Sequence, residues 1–136
     1  MVERESAAGQ FLFISRKDMQ TNPFQDDPGS RVLELAIHAI VALRPTFERI
    51  RCCDRELADQ FRTALRIMAM KAAEGNRSQG GSRMARFRTA ASSNSESRAA
   101  LRVAVAWGYL SSSEVEADDE LLERIGGMLR RLAAGR

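Results

Sequence analysis

The chain has 136 residues, enough for one domain whose core needs neither metal nor disulfide staples. Hydrophobic residues make up 44% and charged residues 29%, a globular balance that sets aside intrinsic disorder. The net charge of +3 names no partner, but its distribution is uneven: Arg44 to Arg102 holds 13 bases against 6 acids, and Glu114 to Glu123 holds 6 acids and no base. Such a field steers a polyanion to one part of a surface, or merely coats a solvated bundle.

The start, with Glu3, Arg4 and Glu5, lacks the basic-then-apolar order of a secretory signal. The early apolar run Phe11–Ile14 is far too short to cross a bilayer, so a cytoplasmic protein with no membrane contact is expected. Cys52 and Cys53 are adjacent, a spacing that strains any mutual disulfide, and they read as free thiols.

Residues 1–29 read as an irregular arm, because Asn22-Pro23, Asp26, Asp27, Pro28 and Gly29 are turn and breaker signals. Phe11, Leu12, Phe13 and Ile14 are expected either to form a short strand or to dock on the rest, and the sequence does not decide between these. Residues 30–136 read as an all-α domain, an antiparallel up-down four-helix bundle. The first helix is expected to start at Ser30 as N-cap, with Leu33, Ala36, Ile37, Ile40 and Leu43 on its apolar stripe. Pro45 should stop or kink it, although Phe47 and Ile50 continue the stripe.

The second helix is placed at Asp54 to Glu74, with Leu57, Phe61, Ala64, Leu65, Met68 and Ala72 inward and Gly75 as a left-handed C-cap. A loop follows from Asn76 to Ser82. The third helix covers Ser82 to Trp107, and its small residues suit close approach of helices. Asn94, Glu96 and Arg98 break its apolar stripe, which places that part in solvent or against another subunit. Gly108 ends it. Ser111 and Glu114 form a capping-box signature for a fourth helix that buries Leu121, Leu122, Ile125, Met128, Leu129 and Leu132. Gly126 and Gly127 inside it cost about 1 kcal/mol each in propensity and call for close packing in return.

No catalytic, cofactor or metal constellation is legible. His38 is the single histidine and has no cysteine or paired carboxylate near it in sequence. Gly80-Gly81 lack the lysine and hydroxyl residue of a phosphate-cradling loop. Glu74 and Glu96 would serve an enzyme only if they lined one cleft. The remaining candidate is a basic set, Arg62, Arg66, Lys71, Arg77, Arg83, Arg86 and Arg88, in which Arg62 and Arg66 share a helix face. With few aromatics nearby, such a set would bind nucleic acid through phosphates, sensitive to salt and indifferent to base sequence.

The order Gln60, Ala73-Glu74-Gly75, Arg77, Arg86-Phe87, Ala90, Ser93, Glu96, Leu101, Ala104 and Gly108-Tyr109-Leu110-Ser111 resembles a bacterial four-helix-bundle family. That family includes proteins encoded by intervening sequences of 23S ribosomal RNA genes and the accessory variability determinant of diversity-generating retroelements. The likeness spans about residues 31–132. Ala69 and Lys71 stand where many members carry proline and asparagine, and Ser92 where a glycine is usual. The resemblance implies a homo-oligomer, a ring-like pentamer. In the retroelement branch it also implies RNA or DNA and a reverse transcriptase as partners, met through the basic set above. Glu74, Gly75, Ser93, Glu96 and Gly108 match the motif as structural positions.

Overall fold

The computed structural model describes residues 27–136, so the arm expected at residues 1–29, including Phe11–Ile14, lies almost wholly outside the described residues. The described chain forms four helices: α1 (Pro28–Cys53), α2 (Arg55–Arg77), α3 (Gly80–Ala106) and α4 (Ser112–Ala133). Each helix packs on the next and α1 also meets α4, which closes a ring. Polar ties fix the directions. Asn76, at the end of α2, donates to Ser30 at the start of α1, and Tyr109, after α3, donates to Asp54 before α2 at 3.0 Å. Thr46 near the end of α1 donates to Asp118 near the start of α4. Sequential neighbours are therefore antiparallel, as the short connections require.

Several local expectations give way to specific contacts. Asp27, not Ser30, caps α1: its carboxylate accepts from Ser30 N at 3.1 Å, and Pro28 occupies the first turn, where a missing N–H costs nothing. Pro45 neither stops nor restarts the helix, which continues to Cys53. Pro45 lies on the exposed side while Leu43 and Ile50 are buried, so tertiary packing on either side of it holds the helical path. Ile37, expected on the apolar stripe, is turned outward at 40% exposure.

 The buried stripe is thus Val32, Ala36, Ala39, Leu43 and Ile50, rotated from the expected one, with Leu33 and Ile40 half-buried at its edge.

Gly75 is not a left-handed cap. It sits inside α2, which runs on to Arg77, and it is buried beneath the ring of Phe87 from α3. A Cβ at Gly75 would stand 3.0 Å from that ring, so the glycine is there for approach, not for φ. The end of α2 is secured instead by Ser78, whose hydroxyl donates to the Glu74 carbonyl at 2.8 Å, and by Arg83, whose guanidinium donates to the Gly75 carbonyl at 3.1 Å. The expected loop at Asn76–Ser82 shrinks accordingly to Ser78 and Gln79.

The stops after α3 and α4 follow the glycine rule. At Gly108 (φ +80°), Tyr109 N donates to Ala104 O and Gly108 N to Val105 O, both at 2.9 Å, and Leu110 is buried beside them. Gly135 (φ +81°) repeats the pattern, with Arg136 N donating to Arg131 O. Ser111 and Glu114 make the expected capping box.

The core joins all four helices through Phe61, Phe87, Leu43, Ile50, Met68, Leu101, Leu122, Ile125 and Leu129, each fully buried. Asn94, expected in solvent or at a subunit contact, is also fully buried. Its amide donates to Leu122 O at 2.8 Å and lies 3.4 Å from Met68 Sδ. Its Oδ1 has no hydrogen-bond partner and occupies the space above Gly126, where a Cβ would come within 2.5 Å. Gly126 thus makes the close approach expected of it, whereas Gly127 meets only arginine ends at 3.8 and 3.9 Å.

Neighbouring carboxyls on α4 respond oppositely to the bundle. Burial pushes the Asp118 carboxyl up, against the bond it accepts from Thr46. The Arg98 guanidinium, bonded to both Asp119 oxygens at 2.8 and 3.2 Å, holds that carboxyl down. A raised pKa means a stability contribution that is complete below the ordinary carboxyl range and is lost as pH rises; a depressed one means a contribution present above that range and lost on acidification. Asp118→Asn should therefore gain stability at neutral pH and little in acid, while Asp119→Asn should lose stability at neutral pH and little in acid. Urea unfolding of both variants at the two pH values checks the contrast.

Candidate functional site

A groove of about 800 Å³ lies between α1 and α2, floored by Ile40, Leu43, Phe47, Leu65 and Ala69. Arg44 and Glu48 border it from α1, and Arg62, Arg66 and Met70 border it from α2. It arises because α1 turns a second, shallower apolar side outward, where Ile40, Val41 and Phe47 are half-buried, and Met70 of α2 stands 58% exposed at its edge. Smaller grooves follow α2 with α3 and α3 with α4, at about 620 and 670 Å³.

The basic residues singled out from the sequence do not share one environment. Arg62 and Arg66 are exposed, flank the α1–α2 groove and have no acidic partner among the described residues. Lys71 and Arg86 instead converge on Glu74, at 2.9 and 3.2 Å. The hydrogen bond from Lys71, with the charges of Lys71 and Arg86, holds the Glu74 carboxyl below its ordinary value. Arg83 lies 4.9 Å over the Phe87 ring centre and is spent on capping α2. Arg77 and Arg88 are exposed, without an acidic partner among the described residues.

The two glutamates weighed for chemistry stand apart. Glu96 borders the α2–α3 groove beside Gln60, whereas Glu74 is about 21 Å further along α2 by helical rise and lines none of the grooves described. His38 is half-buried on α1, and Cys52 and Cys53 are exposed free thiols. No cluster of three or more metal-ligating side chains forms among the described residues. None of the described helices is long and apolar enough to cross a membrane.

Sequence reasoning missed the groove itself, because it assigned Ile40 to the core stripe. The available signal was the excess of apolar positions on α1, where Leu33, Leu35, Ile37, Ile40 and Val41 exceed what one buried stripe can hold. No family model, curated protein or solved structure matches the chain.

Proposed function

We propose that this protein is a non-enzymatic helical bundle that works by association, with the α1–α2 face as its contact surface. The reading agrees with the resemblance to the 23S ribosomal RNA intervening-sequence and retroelement accessory proteins, whose oligomers it would share. One observation carries it: the floor of the α1–α2 groove is apolar, and Met70 stands 58% exposed at its edge. Met70→Glu places a charge in that face without touching the core. The variant should keep its helical circular dichroism and lose association, and association equal to that of the parent protein would overturn the reading.

A second reading, contact with nucleic acid as an accessory to a reverse transcriptase or RNA-related system, draws on exposed Arg62, Arg66, Arg77 and Arg88. Lys71, Arg83 and Arg86 are already engaged within the bundle, which leaves a reduced set for phosphates. Titration of labelled RNA and DNA at two salt concentrations should then give binding that weakens with salt and with Arg62→Ala and Arg66→Ala together. Absence of binding at low salt removes this reading and leaves the first intact.

A further inference from the structure

The α3–α4 groove is apolar along Leu101, Val105 and Ala106, and its edges carry three acids, Glu116, Asp119 and Glu120, against one base, Arg102. Glu116, Glu120 and Glu123 are exposed on α4 at successive helical turns and have no basic partner in a salt bridge among the described residues. Because the helices are joined in ring order, this acid-edged face and the arginine-edged α1–α2 face lie on opposite sides of the bundle. Arg62 and Arg66 are four residues apart, as are Glu116 and Glu120, so each pair rises about 6 Å along its helix. The two ladders match in spacing and oppose in charge.

We infer that the α1–α2 face of one copy of this protein receives the α3–α4 face of a second copy, with Arg62 and Arg66 meeting Glu116 and Glu120 across the contact. This rests on the association reading above and names its partner. Pairing two α1–α2 faces would oppose two net-positive edges, in which Arg44, Arg62 and Arg66 outnumber Glu48, and pairing two α3–α4 faces would oppose two net-negative edges. A contact between two different faces is heterologous, so it propagates from copy to copy and ends in a closed ring or an open filament. The apolar floors supply the buried area, and the charge ladders set register and exclude the self-paired alternatives.

Reciprocal charge reversal in the full chain tests this. R62E/R66E and E116R/E120R should each fall to the 15.1 kDa mass of one chain by light scattering, with helical circular dichroism retained. Mixed in equal amounts they should reassemble, because each reversed face finds its complement on the other variant. The milder R62Q/R66Q and E116Q/E120Q serve if a reversal unfolds the chain, and they should weaken assembly and flatten its salt dependence. Assembly that survives E116R/E120R but not Met70→Glu overturns this contact while sparing the association reading. Failure of two folded reversal variants to reassemble overturns it as well. A parent chain that stays at the mass of one copy at every concentration ends both.

Discussion

Phe87→Ala is expected to remove about 3–5 kcal/mol of stability, the cost of truncating a fully buried aromatic. The melting temperature should fall by roughly 10 °C or more. The more informative result comes from its neighbour. Gly75→Ala alone places a Cβ 3.0 Å from the Phe87 ring, and should cost about 1–3 kcal/mol by overpacking. In the Phe87→Ala background the ring is gone, and the same substitution should become stabilising, because alanine gains about 1 kcal/mol over glycine in a helix. Urea unfolding of the two single variants and the double variant measures this change of sign. If Gly75→Ala destabilises both backgrounds equally, Gly75 is there for some reason other than the approach of α3.

Asn94→Asp should be nearly as damaging at neutral pH, by about 3–5 kcal/mol, since it puts an unpaired carboxylate into a fully buried site. Burial raises the pKa of such a carboxyl, so the folded state takes up its proton before the unfolded state does. The deficit should shrink on acidification and be complete above the raised value. The packing around Asn94 gives a second contrast. Gly126→Ala meets Asn94 Oδ1 at 2.5 Å and should destabilise, whereas Gly127→Ala meets nothing nearer than 3.8 Å and should stabilise by about 0.5–1 kcal/mol. Adjacent glycines with opposite responses would show that only Gly126 is required by the bundle.

Helix number, order and the inward faces of α2 and α4 were legible because their apolar periodicity is strong and uninterrupted. Gly108 and Ser111 were legible because their caps are local and need no tertiary partner. The errors share a physical cause. Local rules read Gly75 as a cap and offered a stop at Pro45 beside a kink, and tertiary contacts override the cap and the stop: the Phe87 ring at Gly75, flanking core residues at Pro45. Asn94 looked like a solvent residue because its partner carbonyl lies on another helix, 28 positions away. The basic set was legible as charge and not as a surface. Only folding reveals that Glu74 takes Lys71 and Arg86, while Arg62 and Arg66 border an apolar groove.

That groove can be tested in one experiment. Light scattering of the parent chain and of Met70→Glu, over a range of concentration and at two salt levels, reads the mass directly. Association through the α1–α2 face predicts a parent mass above 15.1 kDa that falls with dilution, and falls with salt where the charge ladders pair, and a Met70→Glu mass of one chain throughout. Equal masses for the two proteins under every condition would contradict it.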